Sequence, residues 1–422
     1  MLKLDLALLR CLTGIIAQVV IVKLTKHIYC IAHLYDGAQV NSHPQLGREV
    51  SYSRNVFLPI TNLCQNRCSY CGFRRDPNDG ACFMSPEEVI ELVERAKAAG
   101  CSEALLTLGE KPEVHAEARE KLDEFGYENT VDYLVNLCRQ ILEIGLLPHT
   151  NAGVLDELEL RRLRRYNASM GLMLECAVEL PAHSRSPGKD PKLRLEMIEA
   201  AGKLRIPFTT GLLVGIGESF EDRVRSLFAL RNLHECYDHI QEIIIQPFAP
   251  NPNTPMASCP PPSVEELLET VAIARSIMPE MNIQVPPNLL DMEKSCLTSD
   301  THVLPKTLGN VLPQTLMSYL RHSHDSHGAG CHGWSFEDAI RTVLLAGAND
   351  FGGISTLTPD FINPEHPWPS VAELRGAIER AGFVPRERLP IYPRYIRDEK
   401  FMSMEVRKLV LELADEDGYR AR

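Results

Sequence analysis

From about residue 55 to residue 290, short apolar runs alternate with longer amphipathic stretches. Val56-Phe57-Leu58 reads as a strand. Ser85-Pro86-Glu87-Glu88 reads as a helix start, with a hydroxyl to cap free N–H groups, proline in the first turn and acids at the positive end of the dipole. Val89, Leu92, Val93 and Ala96 then recur at helical spacing, and Gly100 follows as a stop. A second strand is expected over Ala104–Leu108. The same alternation predicts helices over Val131–Ile141, Asp156–Tyr166, Leu193–Leu204, Glu221–Leu233 and Glu265–Ile277. It predicts strands over Leu147–Asn151, Met170–Glu175, Phe208–Val214, Ile240–Gln246 and Asn282–Val285. Seven βα-like units in a row place the chain in the α/β class, with a parallel sheet covered by helices. A full or partial (β/α) barrel is the natural closure, with function at the C-terminal ends of its strands.

Residues 291–335 break this rhythm. Ser318–Gly333 carries His322, His324, His327 and His332 among Ser, Gly and Asp. The tract reads as a solvated insertion, with a His-rich metal site as the alternative. The pattern resumes with a helix over Phe336–Ala346, a turn into a short strand over Asn349–Ile354 and a rigid loop over Asn363–Pro369. Two closing helices are expected near Val371–Ala381 and Met404–Ala414. The expected division is therefore an N-terminal extension (1–47), a core barrel (48–290), an insertion (291–335) and a C-terminal region that completes the barrel (336–422).

The apolar run Cys11–Val22 is shorter than the ~20 residues of a membrane span. Its flanks carry Lys3, Arg10, Lys23 and Lys26 against Asp5, so residues 1–30 read either as a targeting segment or as a helix packed on the main fold. The compartment is accordingly cytoplasmic or organellar. The net charge of −12 argues against a general nucleic-acid binder, which needs a basic surface. Thirteen cysteines, an odd number in a chain of 422 residues, fit a reducing compartment better than a disulfide scaffold.

Three of those cysteines stand apart. Cys64, Cys68 and Cys71 occur with C-x3-C-x2-C spacing, directly after the first predicted strand, and Tyr70 precedes the last thiol. Three thiolates on one short loop can hold three irons of a [4Fe-4S] cube and leave the fourth open to a small molecule. A structural zinc site would want four protein ligands, and no paired C-x2-C or H-x3-H partner appears. A disulfide suits a small secreted chain better. The remaining ten cysteines are scattered singly, and most read as small buried apolar residues.

The loop resembles the signature of the radical S-adenosylmethionine (SAM) superfamily, C-x3-C-x-aromatic-C. The resemblance implies Cys64, Cys68 and Cys71 as ligands of one [4Fe-4S] cluster, Tyr70 beside SAM, and SAM itself as the second cofactor, chelating the open iron. Leu108-Gly109-Glu110-Lys111-Pro112 is similar to the family's Gly-Gly-Glu-Pro motif, with Leu108 at one glycine, and implies that Glu110 accepts hydrogen bonds from the SAM ammonium. Gly211–Glu218 is similar to the G-x-I-x-G-x-x-E element, whose backbone lies close to adenine at Gly215. Glu175 is where the family often places a ribose contact, although its usual Glu-Ser-Thr-Ser-Glu run is here Glu175-Cys176-Ala177-Val178-Glu179.

Within the superfamily, Asn55–Cys64, Cys71-Gly72-Phe73-Arg74-Arg75, Thr107–Glu113 and Thr209–Glu218 resemble the CofG-type subunits of deazaflavin synthases. Asp350–Ser355, Thr358-Pro359-Asp360 and Trp368-Pro369 extend the likeness over roughly 48–290 and 336–397. It implies a lyase. A 5′-deoxyadenosyl radical abstracts hydrogen from a 4-hydroxybenzyl adduct of a ribityl-diaminouracil. The ring then closes, ammonia leaves, and the F420 chromophore FO results. It also implies a CofH-type partner subunit and an electron donor such as flavodoxin or ferredoxin. The alternatives are a CofH-like transferase acting on tyrosine, a biotin-synthase-like sulfur inserter, and a non-catalytic iron–sulfur or zinc scaffold. No further grouped cysteines for a second cluster favour the inserter, and Glu110 and Gly215 speak against the scaffold.

Overall fold

The computed structural model describes residues 48–290 and 335–421. The possible targeting segment, residues 1–47 as a whole, and the four-histidine tract lie outside the described residues. Eight parallel strands form a closed barrel: β1 (Glu49–Thr61), β2 (Glu103–Leu108), β3 (Leu147–Asn151), β4 (Ser169–Gly171), β5 (Phe208–Val214), β6 (Ile240–Pro247), β7 (Asn282–Gln284) and β8 (Asp350–Ser355). They neighbour one another in chain order, and β1 pairs with both β8 and β2 to shut the ring.

The helices are α1 (Pro86–Ala98), α2 (Ala116–Phe125), α3 (Thr130–Ile144), α4 (Glu157–Arg164), α5 (Pro191–Lys203), α6 (Phe220–Tyr237), α7 (Val264–Ile277), α8 (Phe336–Ala346), α9 (Val371–Arg380), α10 (Pro393–Ile396) and α11 (Met404–Leu413). Ser85 caps α1, as the sequence anticipates, and Glu88 completes a reciprocal capping box with it. Outward strand residues such as Val56, Leu58, Ile60, Ala104 and Leu106 pack against Val89, Val93, Leu134 and Leu137 in one main core. No helix among the described residues is long and apolar enough to cross a membrane.

Four differences from the sequence expectation have physical causes. β1 is much longer than Val56–Leu58 because its first half carries inward-facing Ser51, Ser53 and Asn55, which dilute the apolar signal. The strand expected over Met170–Glu175 stops at Gly171. Beyond it Leu172 and Glu175 donate to the β5 carbonyls Thr209 O and Gly211 O at 3.0 Å each, and Leu174 N–H turns to the Thr210 side chain at 3.3 Å instead of a β5 carbonyl. Glu175 itself turns into the left-handed region at φ +65°. Helix α2 is charge-rich and buries only Ala118 and Leu122, so its apolar face is too thin to read. A ninth strand, β9 (Val384–Glu387), pairs in parallel with Glu49–Tyr52 of β1. Because β8 holds Ser51–Asn55 on the other edge, β9 lies on the edge that β2 occupies from Asn55 onward.

From β9 the chain turns under the barrel and closes its floor. Buried Arg388 donates from Nε to Asp350 Oδ2 (2.7 Å) and from Nη2 to Asp350 Oδ1 and Glu242 Oε2 (3.1 Å each). Tyr392 Oη and Thr209 Oγ1 donate to the two oxygens of Glu242 at 2.7 and 2.8 Å, and Ser53 Oγ donates to Glu103 Oε2 at 2.6 Å. The N-terminal end of the lumen is thus a packed ionic layer, and only the C-terminal end is available for a ligand.

Candidate active site

The chain leaves the top of β1 at Thr61 straight into the cysteine loop, and the loop is tied down along its whole length. Gln65 N–H donates to Glu110 O (2.9 Å), Arg67 N–H to Arg185 O (3.1 Å) and Ser69 N–H to Ala182 O (2.9 Å). Asn66, buried, accepts from Gly188 N–H through Oδ1 at 2.8 Å. The loop is therefore clamped between the end of β2 and the 181–190 segment. Gly109 permits the close approach: a Cβ there would overlap the Leu63 carbonyl oxygen and stand 2.8 Å from Cys64 Cβ. Gly109→Ala is expected to cost about 1–3 kcal/mol of stability or to push the loop outward. Reduced iron and sulfide per chain after reconstitution would record the displacement.

The three thiols are set up to receive iron. Cys64 Sγ accepts from the N–H groups of Glu110 (3.2 Å) and Asn66 (3.4 Å), and Cys68 Sγ accepts from Ser186 Oγ at 3.3 Å. Backbone N–H groups of Arg74 and Phe73 serve Cys71. Burial pushes the Cys64 thiol up to about 11 and raises Cys71 as well, so iron must displace their protons. N–H donors to sulfur are what tunes a cluster once bound. Among the described residues no three His, Cys, Asp or Glu are grouped for a single metal ion; a cube asks each thiolate to hold a separate iron. The donor set fits a cube.

Next to the cysteines lies a charged cluster. Glu110 is buried against Gly153 and Gly188, where any Cβ would overlap its side chain. Its Oε1 accepts from Gln65 Nε2 at 2.7 Å, while Oε2 is buried with no hydrogen-bond partner and has Arg194 Nη2 at 3.5 Å. A buried acceptor lacking a donor is what a ligand ammonium would satisfy. Glu175 is ion-paired to Lys189. Burial pushes its carboxyl up, but Lys189 and Arg194 outweigh this and hold it below the usual range. Its left-handed backbone, held by Glu175 N–H to Gly211 O and Leu213 N–H to Glu175 O, costs on the order of 1–3 kcal/mol. Strain of that kind clusters where a side chain must be aimed.

Tyr70 Oη meets His183 Nε2 at 3.0 Å, and Lys189 Nζ stands 6.0 Å from the Tyr70 ring. Burial, against the pull of Glu175, takes the His183 imidazole down to about 4, so it meets Tyr70 neutral. Gly215 has φ +96° and faces Pro262, which already demands glycine; its N–H and that of Ile216 donate to Glu218 at 2.8 Å each.

The structure thus brings Cys64, Cys68, Cys71, Tyr70, Glu110 and Glu175 together, while Gly215 closes the turn after β5. Lys189, Arg194, His183 and Ser186 were not anticipated. Ser186-Pro187-Gly188-Lys189-Asp190-Pro191 carries a turn-then-helix signal, with Asp190 capping α5, but nothing in that pattern says which charges turn inward.

Residues 58–230 match the model of the Radical SAM superfamily. Among solved structures, methylornithine synthase aligns with 80% of this chain and 84% of its own at TM-score 0.53 and 18% identity. The [FeFe]-hydrogenase maturase HydG aligns with 80% and 65% at TM-score 0.55 and 18% identity. At that identity the likeness is one of fold. Barrel, cysteine loop and family match together define a radical SAM enzyme, whose cofactors are a [4Fe-4S] cluster and SAM.

The relatives narrow the class. The 7,8-didemethyl-8-hydroxy-5-deazariboflavin synthase of Methanosarcina barkeri is 45% identical over 375 residues, 88% of this chain and 100% of its own. Those of Methanopyrus kandleri and Archaeoglobus fulgidus are 44% and 45% identical, again over 88% of this chain. The chain belongs to the 7,8-didemethyl-8-hydroxy-5-deazariboflavin synthase family.

Proposed function

We propose that this enzyme forms FO as the CofG-type subunit of a deazaflavin synthase. It would act as a carbon–nitrogen lyase on a 4-hydroxybenzyl adduct of a ribityl-diaminouracil and release ammonia. The observation that carries the reading is the clamped cysteine loop over a barrel lumen closed at its floor, in a chain 45% identical to synthases of that name. When bound, the cluster and SAM supply the hydrogen-abstracting 5′-deoxyadenosyl radical. The protein's part is to hold, orient and shield.

Cys64, Cys68 and Cys71 would hold the cluster, and Tyr70 would back it with its ring. Glu110 offers Oε2, which accepts no hydrogen bond and has only the Arg194 guanidinium at 3.5 Å, to the SAM ammonium. Glu175, kept ionised by Lys189 and Arg194, accepts from ribose hydroxyls, and the turn at Gly215 lies along the adenine. A CofH-type subunit would deliver the adduct and a flavodoxin or ferredoxin the electron, in a reducing compartment.

The reconstituted, reduced enzyme supplied with SAM and the adduct is expected to yield deoxyadenosine and fluorescent FO. Deoxyadenosine without FO would reject the assigned reaction, and formation of the adduct itself from tyrosine and the diaminouracil, with no FO from supplied adduct, would move the chain to the transferase role. Replacing Glu175 by Gln is expected to raise the KM for SAM about 10-fold, by exchanging an ionic acceptor for a neutral one. Deoxyadenosine formation against SAM concentration measures it.

A further inference from the structure

Beside the Arg388 layer the lumen changes character. Inward positions alternate with outward ones along each strand. Ile243 and Ile245 of β6 and Ile283 of β7 face the helices, so Gln246 and Gln284 face the lumen, where both are half-buried. On β1, Val56 and Leu58 face outward, and Asn55 inward. These three carboxamides therefore face the lumen beside the carboxylates that Arg388, Tyr392 and Ser53 already occupy: Asn55 is in register with Glu103, Gln284 with Asp350, and Gln246 lies further along β6 than Glu242.

Two of the three are placed by β8, which lies between β7 and β1. A Cβ at Gly352 would overlap the Gln284 amide, and one at Gly353 would overlap the Asn55 amide. The bare backbone of the glycine pair is thus covered from either side by an amide group. Asn55 is 3% exposed, and its Oδ1 has no hydrogen-bond partner. An unpaired buried acceptor is costly unless a ligand pairs with it.

We infer that Asn55 and Gln284, seated over Gly352-Gly353, read the lactam edge of the substrate's pyrimidinedione ring. The inference rests on the reaction proposed above and adds the residues that select its heterocycle. A carboxamide carries a donor and an acceptor in one plane and matches an N–H beside a C=O with two hydrogen bonds and no net charge. A neutral heterocycle is also what a lumen whose charges are already paired can take up without a further counter-ion.

Holoenzyme with SAM bound is titrated with the adduct by calorimetry. Asn55→Ala and Gln284→Leu are each expected to weaken adduct binding about 10–100-fold, with the Kd for SAM as internal reference. Gly353→Ala removes no polar atom, yet is expected to weaken binding in the same direction by displacing the Asn55 amide. The Gly353→Ala/Asn55→Ala double variant should then be no worse than Asn55→Ala alone. Should Asn55→Ala fail to fold, Asn55→Asp, of equal size, removes the donor and is expected to lose binding as well. Adduct affinities within about twofold of wild type in the Asn55 and Gln284 variants would overturn the inference. Wild type that makes FO alongside such variants leaves the reaction standing and removes the recognition alone. Wild type that binds the adduct with the predicted losses but makes no FO removes the reaction and keeps the recognition.

Discussion

Cys68→Ala is expected to abolish SAM cleavage, with deoxyadenosine formation falling by more than about 100-fold, the range reached by losing even an outer-shell partner of a metal site. Cys68 sits midway in the loop, its Sγ bonded by Ser186 Oγ, and its neighbours are anchored to Ala182 and Arg185. Those anchors are main-chain bonds that do not involve the thiol. The variant loop should therefore keep its path, and the loss should lie in the ligand rather than in the fold. Iron and sulfide per chain, the visible absorbance of the reconstituted protein and deoxyadenosine yield are measured together, with the apo protein's melting curve alongside. A variant that retained SAM cleavage would remove the loop from the chemistry. Ser186→Ala is the graded companion: it deletes a donor to sulfur while sparing the ligand, so cluster content should hold while the reduction potential shifts.

The sequence carried this loop plainly because its information is local. Three thiols and an aromatic within eight residues need no tertiary knowledge to be read, and the strand feeding them announces itself in Val56–Leu58. The barrel was legible for a similar reason, since outward strand faces and helix stripes repeat along the chain. Other parts are set by contacts between distant segments. Arg194 lies on a helix flank where arginine is ordinarily solvated, and its bonds to Gly188 O and Met173 O and its approach to Glu110 turn it inward. Glu175 reads as the end of a strand, but bonds to both Gly211 and Leu213 hold it in the left-handed region instead. β9 has four residues, among them Pro385, Arg386 and Glu387, and becomes a strand because the edge of β1 below β2 is free to pair. In each case a deciding partner lies far off in the chain: Glu110 for Arg194, Gly211 and Leu213 for Glu175, and Glu49–Tyr52 for β9.

Arg388 is where such a distant contact should matter most for stability. Arg388→Met is expected to destabilise the protein by about 3–5 kcal/mol, because it leaves Asp350 and Glu242 buried without their counter-charge. The loss should depend on pH with a definite sign. Burial already raises the Glu103 and Glu242 carboxyls above their ordinary value of 4.5, with Arg388 pulling them back down. Removing the guanidinium moves them higher still. A carboxyl whose folded pKa lies above its unfolded one favours folding below the unfolded value, and that advantage disappears as pH rises through the folded value. The variant's deficit should therefore be smaller near pH 5, where protons replace the missing cation, and larger near pH 8. Urea unfolding of wild type and variant at the two pH values measures both deficits, and a deficit equal at both, or larger in acid, would show that Arg388 does not neutralise the layer. Adding Glu242→Gln to Arg388→Met should recover part of the loss, since the second change removes the charge that the first has stranded. The recovery should stay partial because the buried carboxyls of Asp350 and Glu103 remain without the guanidinium.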